Sequence, residues 1–344
     1  MRFDVIIGNP PYQETIEGGG GYIRSSIPLY SEFTYLADKL NPRYTSFIIP
    51  SRWISGGQAS MDRFRTYMVE NRGLCAIYDF DRSTDVFPTV LISGGVCYFL
   101  IDNDNTYDEC EMVNCTIGDR NKIYYDSLKR RLYQYKYKNS HGKDNYMIVR
   151  SNKAMRILNK IDREQHEFLD SRVLQSHPFG LETNFEGDVE RVGEEQIKVT
   201  CSFNRTLYTS RDMIKVNTDK IDKYKIITGK LNPDAGGTKV TKEYNIINVP
   251  RILGPGEVCS GTYIVLNYFD TEAEAKNFLQ YIKTKFARYL ILITLTSMHL
   301  IGRNFMFVPL QDFNMRWTDD SLYEKYGLTI DEREYINSVI KDME

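Results

Sequence analysis

The sequence lacks the features of a membrane protein, a disulfide scaffold or a zinc site. Its longest apolar run is about seven residues near 289–295, far short of the roughly 18 needed to cross a bilayer, and its first residues are too acidic for a signal peptide. The six cysteines form no C-x-x-C pair and the four histidines do not cluster with them, so no metal site is expected. We expect a cytoplasmic chain with reduced, buried cysteines, in which Cys110 and Cys115 are the one pair worth testing for a bridge.

The composition is that of an ordinary globular chain with room for two domains. The 344 residues are 42% hydrophobic and 26% charged, which is enough apolar material for a sizeable core. The net charge of −2 hides a basic segment: residues 119–163 carry 13 Lys and Arg against four Asp and Glu, with six tyrosines interleaved. Such a stripe suits phosphate contacts with occasional stacking, and a solvated helical face is an equally good interpretation.

The first third of the chain alternates strand and helix patterns. Apolar runs at Phe3–Ile7, Tyr44–Ile49, Leu74–Phe80 and Val90–Ile101 predict strands, and the first of these is typical of a strand buried on both faces. Helical spacing after the glycine run Gly18–Gly21 and over Met61–Glu70 predicts the intervening helices, so we expect an α/β fold with a mostly parallel sheet. Beyond residue 118 the alternation is lost, and short strands and turns are followed by two closing helices whose capping boxes begin at Thr271 and Thr329.

One tetrapeptide carries the chemistry. Asn9-Pro10-Pro11-Tyr12 follows the strand Phe3–Ile7 directly, and ligands of open α/β sheets bind at the carboxyl ends of strands. The Asn9 side-chain oxygen and the Pro10 carbonyl can each accept one N–H of an exocyclic amine, and two prolines fix the geometry in advance. Tyr12 offers a ring for a purine to stack on. The pattern indicates a site that makes a weakly nucleophilic adenine amine reactive.

The segment from Phe3 to Tyr12 resembles the catalytic motif of N6-adenine DNA methyltransferases, particularly restriction–modification methylases with a target-recognition region after the catalytic domain. Val86-Phe87-Pro88 resembles a later motif whose aromatic residue covers the other face of a flipped adenine, and segments 307–313 and 317–320 resemble the ending of such enzymes. The resemblance implies a partial Rossmann-like methyltransferase sheet in residues 1–117, a basic connector in 118–165 and a mixed α+β target-recognition domain in 166–344.

The resemblance also implies S-adenosylmethionine as methyl donor and double-stranded DNA as substrate. The family holds the cofactor with a glycine-rich loop and an acidic residue upstream of the Asn-Pro-Pro-Tyr motif, and only eight residues precede the motif in this sequence. The strand Phe3–Ile7 would then be a sheet edge with an unpaired apolar rim, so we expect a second polypeptide or an upstream segment to supply the cofactor-binding half.

Several cations and amides are candidates for contact with DNA. Arg52 sits at the predicted carboxyl end of a strand, where either a phosphate contact or an ordinary ion pair fits. The remaining candidates are, in the basic segment, Lys129, Arg130 and Arg131, and, in a polar loop suited to a groove, Lys230, Asn232 and Lys239. Asn204, Arg205 and Arg251 have the chemistry to read base edges, but no sequence rule selects them from other polar residues.

Two other functions remain open at this point. A non-catalytic DNA-binding or specificity protein would keep the basic segment and the recognition domain without using the cofactor. An enzyme that methylates RNA or a protein amide would share the Asn-Pro-Pro-Tyr turn. The nearly 230 residues after Ile117 favour a large polymeric substrate such as duplex DNA, in which adenine is reached by flipping it out of the stack.

Overall fold

The computed structural model describes residues 3–18, 22–55, 61–92, 94–118, 122–138, 142, 144–161, 167–234, 243–295 and 299–343. The chain forms two compact units, Met1–Arg156 and Ile157–Glu344. Residues 118–165, the expected basic connector, are thus divided between the two units. None of the helices in the described part of the chain is long and apolar enough to span a bilayer.

Unit 1 is built on a sheet whose described part has six strands. In chain order, the first elements of unit 1 are β1 (Val5–Gly8), β2 (Glu14–Gly18), β3 (Tyr22–Ile27), α1 (Leu29–Lys39), β4 (Tyr44–Pro50), α2 (Arg52–Ser55), α3 (Asp62–Glu70) and β5 (Leu74–Phe80). They are followed by β6 (Val96–Asp102), β7 (Cys110–Ile117), β8 (Ile123–Arg130), β9 (Tyr135–Lys138), β10 (Asp144–Met147) and α4 (Asn152–Leu158). The six strands of the main sheet lie in the order β1-β4-β6-β5-β7-β8. The strand β2 pairs with β3, and β9 pairs with β10, in two separate hairpins.

The expectation of a mostly parallel sheet is wrong. The pairs β1–β4 and β5–β7 are parallel, whereas β6 runs antiparallel to both β4 and β5, and β8 runs antiparallel to β7. The segment between β5 and β6 holds a short turn of 3₁₀ helix at Ser83–Asp85 instead of a crossover helix. Strands joined without a crossover helix pair antiparallel, and this explains the direction of β6.

Each face of this sheet has its own apolar cluster. Helices α1 and α3 pack on one face, where the buried side chains include Tyr30, Phe47, Ile49, Trp53, Phe64, Ile77 and Phe99. The other face carries a smaller cluster of Phe80, Val96, Val113 and Cys115. Cys110 belongs to the first cluster and Cys115 to the second, about 16 Å apart along one extended strand. The suggested bridge between these two cysteines is therefore wrong, and all six cysteines are free.

The first strand lies at the end of the sheet. β1 pairs with β4 on one side, and no other described strand pairs with it. Only Ile6 packs against the core, whereas Val5 and Ile7 are 53% and 74% exposed. The expectation of an apolar edge is confirmed, and that of a strand buried on both faces is wrong for these two side chains.

Unit 2 contains two three-stranded sheets and a set of helices. Its elements are β11 (Ile197–Thr200), β12 (Thr206–Thr209), β13 (Tyr224–Gly229), β14 (Arg251–Leu253), β15 (Glu257–Cys259), β16 (Tyr263–Phe269), α5 (Glu272–Lys283), α6 (Lys285–Thr294), α7 (Asp319–Lys325) and α8 (Ile330–Val339). The strand orders are β12-β11-β15 and β14-β13-β16. Thr271 and Thr329 cap α5 and α8 by accepting the backbone N–H of Glu274 and Glu332, as their spacing predicts. The two expected closing helices are confirmed as α5 and α8, and the described residues between them add α6 and α7.

Candidate active site

The Asn-Pro-Pro-Tyr turn leaves β1 at the carboxyl edge of the unit 1 sheet. Gly8, the last residue of β1, is opposite Phe47 of β4, and a Cβ on Gly8 would lie 3.6 Å from the Phe47 ring. Pro10 is buried while Asn9 and Pro11 are exposed. The turn is thus anchored by one proline and presents the Asn9 amide to solvent, at the edge where open α/β sheets bind their ligands.

Tyr12 connects this turn to the core. Its carbonyl accepts the backbone N–H of Leu29 at 3.2 Å, which fixes the start of α1 next to the turn. Its hydroxyl is buried and has no hydrogen-bond partner among the described residues. Burial raises the pKa of the Tyr12 hydroxyl, the neighbouring Cys97 thiol raises the pKa further, and the adjacent Asn9 amide opposes both. The structure therefore brings Asn9, Tyr12 and Cys97 together.

A buried network of charged hydrogen bonds lies at the same edge of the sheet as the turn. Arg150 donates to both carboxylate oxygens of Asp79, with Nε–Oδ2 at 2.5 Å and Nη2–Oδ1 at 2.8 Å. The Ser51 hydroxyl donates to Asp79 Oδ1 at 2.7 Å, and the Ser51 N–H donates to the carbonyl of Gly95 at 3.1 Å. These bonds tie together the ends of β4 and β5 and the start of β6.

Cys97 links this network to the turn. Burial raises the pKa of the Cys97 thiol to about 12, and the Asp79 carboxylate contributes to the increase. The same thiol raises the pKa of Tyr12. Sequence reasoning missed both Asp79 and Arg150. The available signal was a carboxylate within an otherwise apolar strand, because a buried carboxylate requires a cationic partner.

Arg52 lies at the same edge. It is exposed, and its Cγ would be 3.0 Å from a Cβ placed on Gly94. Burial and the Cys97 thiol raise the pKa of the Tyr30 hydroxyl, while Arg52 and Arg65 lower it. No carboxylate of the described residues forms an ion pair with Arg52, so its charge faces solvent beside the turn.

Phe87 belongs to the other face of the sheet. Its half-buried side chain packs against the cluster of Phe80, Val96, Val113 and Cys115, and its N–H donates to the carbonyl of Ser83 at 2.7 Å. Among the described residues, no ring contact joins Phe87 to Tyr12. The Ser83 hydroxyl donates to the carbonyl of Val90 and accepts the N–H of Ile92, which fixes the loop that carries Phe87. The side chain of Leu91 in this loop is 88% exposed, a feature that sequence reasoning did not single out.

Among the described residues, the basic segment forms the strands β8, β9 and β10 and ends in the helix α4, so most of it is not a helical face. In β8, Lys129 is exposed opposite Glu111, and Arg131 follows the strand with its guanidinium 5.4 Å from the centre of the Tyr133 ring. Arg130, between them, is buried and donates to the carbonyl of Val149 at 2.6 Å. Burial lowers the pKa of Arg130 to about 10, against the influence of Cys110 and Asp79. This burial leaves Arg130 unavailable to a phosphate, contrary to expectation.

The three candidates of the unit 2 loop are placed differently from one another. Lys230 is half-buried, and its backbone N–H donates to the carbonyl of Thr262 at 3.0 Å. Asn232 is buried, and its side-chain oxygen accepts the N–H of Asp234 at 2.6 Å, so this residue shapes the turn instead of facing a groove. Lys239 lies outside the described residues.

A cavity of about 720 Å³ opens on the sheet of unit 1, away from the turn. Its lining includes Tyr78, Tyr98 and Leu100 together with Glu111 and Lys129. Asn9, Tyr12 and Phe87 are not among its lining residues. This cavity is thus separate from the candidate active site, whose polar groups converge on Asn9 and Tyr12 at the edge of the sheet.

Part of unit 1 is similar in sequence to known proteins. Residues 1–87 match the family model of the Eco57I restriction-modification methylase. A stretch of 134 residues, 39% of the chain, is 34% identical to a protein of Mycoplasma pneumoniae (strain ATCC 29342 / M129 / Subtype 1) described as an uncharacterized adenine-specific methylase, and covers 31% of that protein. The resemblance predicted from the Asn-Pro-Pro-Tyr sequence is confirmed over residues 1–87. The aligned stretch spans about a third of the length of this relative.

Solved structures of restriction–modification proteins give weaker matches. The type IIG restriction endonuclease BpuSI is 12% identical with a TM-score of 0.38, over 98% of this chain and 49% of that one. The methyltransferase subunit of a type I restriction-modification system from Streptococcus thermophilus is 12% identical with a TM-score of 0.23, over 33% of this chain and 26% of that one. The sequence similarity to restriction–modification methylases therefore covers residues 1–87, which is part of unit 1.

Proposed function

We propose that this chain is a component of a site-specific DNA adenine-N6 methyltransferase, and that Asn9-Pro10-Pro11-Tyr12 binds the adenine that is methylated. The observation that carries the proposal is the exposed Asn9 amide at the carboxyl end of β1, held by the buried Pro10 and adjacent to Tyr12. The similarity of residues 1–87 to restriction–modification methylases supports the same reaction.

The chemistry follows from the two acceptors in the turn. The lone pair of the adenine N6 amine is delocalised into the ring, so the amine is a poor nucleophile until its geometry changes. The Asn9 side-chain oxygen and the Pro10 carbonyl each accept one N–H, which favours a tetrahedral nitrogen whose lone pair is available for attack. In the reaction the N6 nitrogen would form a bond to the methyl carbon, the bond from that carbon to the donor sulfur would break to leave a neutral thioether, and the nitrogen would release one proton to solvent.

S-adenosylmethionine supplies the methyl group in this proposal. The described residues offer no glycine-rich strand-to-helix loop before β1, so we assign no residue of this chain to the cofactor. The exposed Val5 and Ile7 on β1 support the addition of a further strand that would carry the cofactor site. This strand would come from another polypeptide or from a longer form of this one.

Base flipping completes the proposed reaction. An adenine extruded from the duplex would stack on Tyr12, whose ring is half-buried, and Phe87 would cover its other face. The structure holds Phe87 in the apolar cluster of Phe80 and Val96, so the proposal requires the loop of Phe87 to rearrange on binding.

The proposed phosphate contacts are the exposed or half-exposed cations Arg52, Lys129, Arg131 and Lys230. None of these four forms an ion pair with a carboxylate of the described residues. By contrast, Arg150 and Arg156, which lie in the basic segment with Lys129 and Arg131, are paired with Asp79 and Asp126. An unpaired cation keeps its charge available for phosphate. The affinity for duplex DNA should therefore fall steeply with salt.

A second candidate is a DNA-binding or specificity protein that does not catalyse methyl transfer. The exposed cations Arg52, Lys129 and Arg131 favour DNA binding whether or not the chain catalyses methyl transfer. Calorimetric titration with S-adenosylmethionine, of the chain alone and of the complex it forms in its host, separates the two functions. An RNA or protein-amide methyltransferase is distinguished by comparing duplex DNA, RNA and peptide as methyl acceptors.

The central test is the Asn9→Ala variant in the complex isolated from the host through a tag on the full chain. We expect loss of methyl transfer to adenine in duplex DNA of at least about a hundredfold, because one of the two acceptors is removed. The exposed neighbour Gln13 provides the matched control, and Gln13→Ala should retain activity. Full activity of the Asn9→Ala complex would overturn the proposal.

A further inference from the structure

The hairpin β11–β12 of unit 2 ends in a loop that holds a phenylalanine outward. The Phe203 side chain is fully exposed. Phe203 and its neighbour Asn204 both have left-handed backbones, with φ of 57° and 59°. This conformation is unfavourable for residues that carry a Cβ, and two in succession cost more than one. The loop thus holds an exposed aromatic ring at a cost in backbone conformational energy.

The loop is fixed by hydrogen bonds on both sides of Phe203. The Cys201 N–H donates to the carbonyl of Arg205 at 2.8 Å and closes the loop at its base. The hydroxyls of Ser202 and Thr262 are 2.7 Å apart, and the Tyr263 hydroxyl donates to the carbonyl of Cys201 at 3.2 Å. The exposed ring therefore stands on a rigid support, and little entropy is lost when it is inserted into a partner.

Polar groups beside the ring can read bases. Arg251 Nη1 donates to the side-chain oxygen of Asn204 at 2.8 Å, and its guanidinium is 5.1 Å from the centre of the Tyr263 ring. Arg251 Nη2 is buried without a hydrogen-bond partner in the described part of the chain. Within those residues, no carboxylate forms an ion pair with Arg205, Lys230 or Arg251, so the charge around the loop is not neutralised.

We propose that Phe203 inserts between stacked base pairs of DNA and that Asn204 and Arg251 contact base edges next to the opened step. Apolar wedges are a common means of unstacking a duplex step, and Asn and Arg match the edges of adenine and guanine. The inference rests on the proposed function, in which the chain binds duplex DNA. It selects three residues for target recognition that the sequence could not distinguish from other polar or apolar ones.

The test measures the affinity of the full chain for short duplexes of mixed sequence by fluorescence anisotropy at one salt concentration. Phe203→Ala should weaken binding about tenfold, the usual effect of removing one base–aromatic stack. Phe203→Trp keeps a ring and should retain affinity. Val192→Ala is the matched control, because Val192 is also highly exposed in unit 2 but lies in a different loop.

A duplex with one abasic position sharpens the test. The missing base leaves a gap that the ring enters without unstacking cost, so wild type should prefer this duplex over the intact one. Phe203→Ala should lose this preference, and the thermal stability of the variant should equal that of wild type because the side chain is exposed. If wild type binds no duplex, the proposed function fails together with this inference. If Phe203→Ala binds both duplexes as wild type does, only the wedge is overturned, and the exposed ring serves a protein partner.

Discussion

Asp79 is a buried carboxylate at the edge where the candidate active site lies. Its carboxylate is buried, receives two hydrogen bonds from Arg150 and one from Ser51, and affects the pKa of Cys97. Removing one partner of a buried ion pair leaves the other charge without compensation, which costs far more than the pair itself contributes. Asp79 therefore positions the strand ends around the Asn-Pro-Pro-Tyr turn.

The Asp79→Asn variant should lower the free energy of unfolding of unit 1 by about 3 kcal/mol, since Arg150 loses its buried counter-charge and keeps only the exposed carboxylate of Asp81. Asp81 contacts the same guanidinium at 3.2 Å with a largely exposed side chain, and Asp81→Asn should cost less than about 1 kcal/mol. Urea denaturation followed by circular dichroism measures both values. Equal losses in the two variants would contradict the role of Asp79.

Among single residues, the sequence predicts the Asn-Pro-Pro-Tyr turn but not the ion pair of Asp79 and Arg150 at the same edge of the sheet. Asn9 and Tyr12 were recognisable because their pattern is local, whereas Asp79 and Arg150 are 71 positions apart and meet only in the fold. Arg130 could not be told from Lys129 and Arg131 while the segment had no assigned structure. Once the segment is a strand, its period of two residues explains why Arg130 is buried between two exposed neighbours.

The loop between β5 and β6 is the element on which the antiparallel order depends. Gly94 and Gly95 have φ of 86° and 76°, in the left-handed region that glycine adopts without strain. A Cβ on Gly95 would lie 2.0 Å from the carbonyl oxygen of Phe80, so this position requires glycine for space as well as conformation. The same loop brings the Gly95 carbonyl to the N–H of Ser51.

We expect Gly95→Ala to destabilise unit 1 by more than about 3 kcal/mol, because a backbone atom must move in addition to the conformational cost. Gly94→Ala in the same loop should cost about 1 kcal/mol, because its nearest neighbour is the flexible Arg52 side chain. The midpoints of thermal unfolding of the two variants give the comparison. A Gly95→Ala protein as stable as Gly94→Ala would show that the loop adjusts freely.

The sequence predicts helices and strands well where their signals are local. It predicts them poorly where the pairing between strands determines their bounds or direction. The strand Leu74–Phe80 was predicted with its observed bounds, and the caps at Thr271 and Thr329 form as their spacing requires. The strand expected over Val90–Ile101 begins only at Val96, because the residues before it form the loop held by Ser83. Strand direction depends on the connection, and the missing crossover helix between Phe80 and Val96 was the available clue.

At the scale of the whole molecule, the outer side of β1 is an exposed apolar strand edge. Val5 and Ile7 are exposed there, and no described strand pairs with the outer side of β1. Unpaired apolar edges associate unless they are covered or carry charge. The sequence predicts this edge through its resemblance to N6-adenine methyltransferases. In those enzymes the strand that ends in Asn-Pro-Pro-Tyr has a neighbour on its outer side, and no described residues form that neighbour here.

An Ile7→Lys substitution should reduce association through this edge, since a charged side chain would be desolvated when a strand is added. Sedimentation velocity over a range of concentrations should show less self-association for Ile7→Lys than for wild type, and tagged Ile7→Lys should recover less of the partner from its host. Val189→Lys, at an exposed position of unit 2, is the control and should behave as wild type. Unchanged association of Ile7→Lys would place the contact elsewhere.

The distribution of the six thiols has a practical consequence for such experiments. Five are buried, and only Cys75 is partly accessible, beside the cavity that opens on the sheet of unit 1. A maleimide dye added to the native chain should therefore attach at a single site, without prior replacement of the other cysteines. The label would report by energy transfer when a partner carrying a second dye arrives.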